Sequence, residues 1–302
     1  MNYKTITIFG GTGFLGRYVV NKLCKENYII KIVSTNPQKG AFLKPCGSVG
    51  QVNCVYGNIR DYNSVKENIK DSQIVINLVG ILYKKGKNNF SNVHAIGAEY
   101  IAKACTEENI ERLIHISALG IDKPSGSVYA RSKLNGEKAV HNAYPNAIIL
   151  RPSIIFGPED NFINKFAFIT KISPIVPLIG NGKAKFQPIY VEDVADSIAA
   201  CLNNKNSCGK IYELGGNEIY SFRELLQLII NIVGKKRFIL PLPTPMVKLV
   251  AIFLSLFPIT PIITNDQIKL LKVDNILSAN SLKIGDLGIK PRGLKATIES
   301  YL

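Results

Sequence analysis

Apolar positions in this chain come in short continuous runs separated by stretches of helical period. "KTITIFGGTGFLGRYVVNKLCKEN" reads as strand, glycine turn and helix; "YIIKIVS" and "VNCVYGNI" read as a second and third strand, with a short helix around "NSVKENIK". "QIVINLVGIL" is apolar almost throughout and predicts a fourth strand. The helix "NVHAIGAEYIAKACTEENI", the strand "RLIHISAL", a helix carrying Tyr129 and the strand "AIILRPS" follow. Strands that alternate with helices and stay apolar along their length predict a parallel sheet covered on both faces. The expected fold class is therefore α/β, a doubly wound parallel sheet with a smaller C-terminal α/β domain.

The rhythm changes after about residue 157, where Pro and Gly become frequent in "SPIVPLIGNG" and "LPLPTPM". "FQPIYVEDVADSIAACLNN" reads as a strand feeding a helix that returns to the first domain. "SFRELLQLIINIVG" reads as an amphipathic helix opened by a capping box, Ser221 with Glu224. The expected division is 1–157 for the first domain, with 186–204 returning to it, and 158–302 for a smaller, interwoven domain. "PMVKLVAIFLSLFPITPIIT" is more apolar than a surface helix should be, and Pro258 and Pro261 stop it short of a membrane span. It reads either as core packing or as a patch, about 246–263, that docks at a membrane surface.

Composition adds limits. Hydrophobic residues at 46% and charged residues at 20% of 302 allow a sizeable core. The formal net charge of +15 suits anionic partners, among them phosphate cofactors and anionic lipid. The clusters Lys84, Lys85, Lys87 and Lys235, Lys236, Arg237 read as solvated surface, and no nucleic-acid motif is present. Six cysteines without CxxC spacing read as reduced thiols, and the early first strand argues against a signal peptide. His94, His115 and His141 are not at metal-ligand spacing, so no metal site is expected; the acids of "VEDVAD" read as structural at a helix start.

The glycine run is the first chemical signal. "FGGTGFLG" places glycines at 10, 11, 13 and 16 between a strand and a helix. Gly10, Gly13 and Gly16 permit a tight turn and close backbone approach to a pyrophosphate, and the helix opening at Phe14, Leu15 and Gly16 offers N–H groups to that anion. This is the Rossmann type of dinucleotide site. An NAD site commonly carries Asp or Glu roughly 20 residues further on. Here no acidic residue lies between Glu26 and Asp61. Ser34, Thr35, Asn36 and Lys39 occupy that region and would bind a 2′-phosphate that a carboxylate would repel. The reading favours NADP(H) over NAD(H).

The second signal is "SVYARSKLNGE", where Tyr129 and Lys133 lie four apart and share one face of a helix. A phenol beside an ammonium can exchange protons near neutral pH, and the neighbouring cation should lower the phenol's pKa. Ser117, in "HISALGID", either supplies a substrate-binding hydroxyl or only ends a strand. Asn92 reads as a helix N-cap.

At "GGTGFLG", "GNIRD" and "YARSK" the chain resembles the short-chain dehydrogenase/reductase superfamily in its extended or atypical branches. "AIILRPSIIFGPEDNFINKFA", "QPIYVEDVADSI", "CGKIYELGG", "LPLPTPMVKLVAIF" and "ITNDQIKLLKVDNILS" are similar to the lineage of the dehydrogenase-like accessory subunit of respiratory complex I and its bacterial relatives. The resemblance implies that Asn58 and Ile59 contact adenine, Val79 and Gly80 line the ribose and nicotinamide side, and Pro152 and Ile155 flank the nicotinamide. It also makes Tyr129 and Lys133 the active-site pair and Asn92 the asparagine below it. It implies complex I subunits as partners. The expected place is the bacterial cytoplasm, peripheral on the inner face of the membrane. Tyr129 then either turns over a substrate, as a reductase, epimerase or dehydratase would, or only holds the cofactor.

Overall fold

A computed structural model of the protein describes residues 3–84, 86–242 and 264–302. Lys85 and the apolar run 246–263 lie outside the described residues. Six strands form the body of the sheet: β1 (Thr5–Phe9), β2 (Ile29–Ser34), β3 (Val52–Tyr56), β4 (Ile74–Asn77), β5 (Arg112–Ile116) and β6 (Ile148–Pro152). All pair in parallel, in the order β6-β5-β4-β1-β2-β3. Two later strands, Ile211–Leu214 and Leu282–Lys283, extend the sheet beyond β6 to eight. The chain therefore returns to this sheet well beyond residue 204.

The continuous apolar runs are explained by helices on both faces. Along β4, Ile74 and Ile76 point into one core cluster and Val75 into the other. The first face is covered by α1 (Phe14–Cys24) and α6 (Val191–Asn203), through Val19, Val20, Leu23, Val194 and Ile198. The second is covered by α2 (Tyr62–Ile69), α3 (Gly97–Glu107) and α4 (Val128–Ala143), through Val65, Ile69, Ile101, Ala102 and Val140. Burying each such Val, Leu or Ile side chain contributes about 1.5–3 kcal/mol. The helix expected from residue 92 has a wider start: Ser91–Ile96 is a π-helical turn that runs into α3. Asn92 lies inside that turn and is not its N-cap, which is Phe90 without a side-chain cap.

A second core gathers Phe156, α5 (Ile163–Ile172), α7 (Phe222–Val233), Ile268 and the C-terminal Leu294 and Ile298. The capping box Ser221–Glu224 opens α7, and Gly234 ends it in the left-handed conformation. Small strand pairs brace this unit, among them Ile175–Ile179 with Phe238–Leu242. One buried ion pair braces the sheet against its own helix, and a half-exposed one holds the C-terminal segment to α6. Arg151 on β6 bonds Glu137 of α4 through both Nε (3.0 Å) and Nη2 (2.6 Å). Asp193 on α6 accepts from the Arg292 backbone N–H at 2.8 Å and from its guanidinium.

Candidate cofactor and active site

The strand order reverses between β1 and β4, so a crevice opens at the carboxyl ends of these strands. The glycine turn leaves β1 into it. Gly10 has φ +83°, and the Gly13 N–H bonds its carbonyl at 3.1 Å. A Cβ on Gly16 would sit 2.4 Å from the Gly11 carbonyl, so only glycine lets the helix approach the turn this closely. α2, α4 and α7 are capped by Asp61, Ser127 and Ser221, whereas α1 starts at Gly13 with no side-chain cap and no acid in its first turn. Its first N–H groups have no acceptor within the helix. This bare, positive helix end fits a diphosphate.

Next to it, beyond β2, Ser34 Oγ and Asn36 form a local turn at 3.1 Å, and Thr35, Asn36 and Lys39 are exposed. After β3, Asn58 Oδ1 accepts from the Arg60 N–H at 3.1 Å, and Ile59 packs on the second core face. After β4, the Val79 N–H is fixed by Asn77 Oδ1 at 3.1 Å. Phe14, Leu15, Gly80, Ser117, Tyr129, Lys133, Pro152 and Ile155 come together on one cavity of about 450 Å³. Ser34, Thr35, Asn36, Lys39, Asn58, Ile59 and Val79 are not on its wall; Val79 follows β4, and the others lie along the same carboxyl-end edge of the sheet toward β2 and β3.

Tyr129 and Lys133 share one face of α4, in the first two turns. The structure departs from expectation in their charge. Burial raises the Tyr129 phenol to about 12. The Lys133 ammonium, 4% exposed, donates to the Ile116 carbonyl at 2.8 Å, and burial pushes its pKa down to about 8 against the pull of Glu137. Desolvation of the phenol outweighs any help from a lysine already committed to a carbonyl. Ser117, at the end of β5 and 3% exposed, has a buried hydroxyl with no hydrogen-bond partner among the described residues.

Two residues of the site escaped the sequence reading. His94, in the π-helical turn, accepts from the Ile81 N–H at Nε2 (2.9 Å), so its Nδ1–H faces Ser132 Oγ at 2.9 Å. Ser132 in turn donates to the Tyr129 carbonyl at 2.7 Å. Burial, then the Lys133 charge, lowers the His94 pKa to about 3, which keeps the ring neutral. Its ring meets the Tyr129 ring edge-on at 5.3 Å. The second residue is Asp266, from the short helix Asn265–Leu270. Its carboxylate accepts from the Val128 and Tyr129 N–H groups at 2.8 Å each and from Ser127 Oγ at 2.7 Å. Burial alone would raise its pKa; the Ser127 hydroxyl and these amides hold it below the usual carboxylate value. Nothing local marks Asp266, which is 137 residues from Tyr129. A lone histidine at the start of a helix is likewise a weak signal. Among the described residues no three His, Cys, Asp or Glu side chains gather as a metal site would need.

A bare glycine turn on the first strand of a doubly wound sheet, with a tyrosine and lysine across the crevice, defines a dinucleotide-binding protein of the extended short-chain dehydrogenase/reductase type. The chain belongs to the NAD dependent epimerase/dehydratase family, whose model matches residues 6–215. It is 37% identical over 98% of its length to the NADH dehydrogenase [ubiquinone] 1 alpha subcomplex subunit 9 of Arabidopsis thaliana mitochondria, covering 76% of that protein. It is 30% identical over 99% of its length to the NADH-ubiquinone oxidoreductase 40 kDa subunit of Neurospora crassa, covering 78% of it. Among solved structures, triphenylmethane reductase of Citrobacter sp. shares the fold with a TM-score of 0.81 at 19% identity, 99% of each chain being covered. A nicotinamide nucleotide is the cofactor the family membership supports.

Proposed function

We propose that this chain holds NADP(H) as a structural cofactor and serves as an accessory or assembly subunit of respiratory complex I. The observation that carries the reading is identity at 30–37% to complex I subunits over 98–99% of the chain. The Gly10–Gly16 turn, with the Phe14, Leu15 and Gly16 amides, would take the diphosphate. Ser34, Thr35, Asn36 and Lys39 would take the 2′-phosphate, and no acidic residue from 27 to 60 opposes them. Asn58 and Ile59 would border the adenine; Val79, Gly80, Pro152 and Ile155 the nicotinamide; Tyr129 and Lys133 its ribose. Bound there, the nicotinamide supplies hydride chemistry. A phenol near 12 and a lysine tied to a carbonyl suit holding better than proton transfer at neutral pH. We place the protein in the bacterial cytoplasm on the inner face of the membrane, with the apolar run 246–263 as its contact. Among the described residues no helix is long and apolar enough to cross a membrane.

One observation favours a second reading, an NAD(P)-dependent reductase, epimerase or dehydratase: the unpartnered Ser117 hydroxyl on the cavity beside Tyr129. The two readings separate in one experiment. The tagged chain is extracted with mild detergent from membranes of its source, its co-migration with NADH:ubiquinone oxidoreductase is followed, and released dinucleotide is identified. Retained NADPH on a chain that travels with the complex supports the first reading. A free chain whose NADPH is oxidised by added carbonyl or nucleotide-sugar substrates, with activity lost in Tyr129→Phe, overturns it.

A further inference from the structure

On the side away from the glycine turn, the cavity beside Tyr129 has mostly apolar walls. Ile154, Phe162, Phe166, Ile169, Leu270 and Leu271 come from the second unit, facing Ile81, Leu119 and Ile121 of the first. Most of the polar side chains among them are occupied, Asn161 at the exposed rim apart. Ser153 Oγ bonds Asn275 Oδ1 at 2.6 Å, and the Asn275 amide bonds the Leu119 carbonyl at 2.7 Å. Asp274 Oδ1 accepts from the Lys185 N–H at 2.8 Å, Gln267 Oε1 from the Thr264 N–H at 2.9 Å, and Lys165 is engaged as well. The Ser117 hydroxyl is the buried one on this wall with no partner among the described residues.

Such a wall selects its guest. A sugar or nucleotide needs many convergent polar groups, and leaving its hydroxyls unpaired in an apolar pocket is costly. A guest with a hydrocarbon body leaves nothing unpaired. A single oxygen at its end would complete Ser117 and lie beside the Tyr129 phenol. We infer that this cavity binds a long-chain aliphatic ketone, aldehyde or alcohol, with its oxygen at Ser117 and its chain between α5 and the Asn265–Leu270 helix. The inference rests on the dinucleotide reading only for the cradle side of the cavity; it requires neither turnover nor complex I.

The full chain is titrated calorimetrically, with and without NADPH, against methyl ketones from 2-hexanone to 2-tridecanone, and against UDP-glucose. Affinity should rise about threefold to fourfold per added methylene until the cavity is full. Ile169→Gln and Leu270→Gln should flatten that rise, while Phe168→Gln, 61% exposed on the outer side of α5, should leave it intact. Ser117→Ala should weaken every ketone about fivefold and keep the rise. Unchanged NADPH affinity and melting temperature certify each variant's fold. No dependence on chain length, a rise that survives both wall variants, or displacement of the ketones by UDP-glucose overturns the inference. Ketone binding by a protein that takes up no NADPH would defeat the proposed function and leave this site standing; NADPH binding without ketone binding would do the reverse.

Discussion

Lys133 gives the sharpest test of the site's physics. It is buried, its ammonium donates to the Ile116 carbonyl, and burial brings its pKa from an ordinary 10.5 to about 8. In the unfolded chain the same lysine titrates near 10.5. Between these values the unfolded state binds more protons than the folded one, so stability rises with pH across this window. Below about 8 both states are charged and the cost of burying the ammonium is constant; above 10.5 both are neutral and the cost is gone. The gap corresponds to about 3 kcal/mol. The comparison is with Lys133→Met, which keeps the stem and removes the charge. Urea unfolding of both proteins at steps from pH 7 to 10.5 cancels every other titrating group they share. The wild type should gain about 3 kcal/mol on the variant over that range, most of it between 8 and 10.5. Parallel curves, or a wild type that loses ground, would refute the claim that desolvation governs this lysine. Glu137, one turn on, would then be its dominant neighbour.

Three further outcomes follow from the geometry. Gly16→Val places a side chain against the Gly11 carbonyl, where a Cβ already comes to 2.4 Å, and should weaken NADPH by about tenfold or more in fluorescence titration. Ser34→Asp puts a carboxylate where NAD sites carry one, and the ratio of NADPH to NADH affinity should fall by about tenfold or more. Asp266→Ala removes the carboxylate that holds the first amides of α4 and should cost about 1–2 kcal/mol in urea unfolding at pH 7. Because the Asp266 pKa is lowered by folding, that advantage should be present at neutral pH and vanish as pH falls below the carboxylate range.

Much of this protein is legible without coordinates. The run from Thr5 to Cys24 is strand, turn and helix in both sequence and structure, because a period of two or 3.6 and a glycine's freedom are written within a few residues. The apolar strands and alternating helices were enough for a doubly wound parallel sheet. The four-residue step from Tyr129 to Lys133 places both on one face of any helix. The capping box of α7 needs only Ser221 and Glu224. Other features have no local trace. Ile211–Leu214 and Leu282–Lys283 join the main sheet because the chain comes back to its edge, and nothing in a two- or four-residue strand announces its partner. Asp266 caps α4 only because the second unit folds over the first. The acidity of Tyr129, the state of Lys133 and the isolation of Ser117 are consequences of burial. Burial belongs to the whole packed molecule: desolvation depends on every atom that displaces water, and those atoms come from segments more than a hundred residues apart.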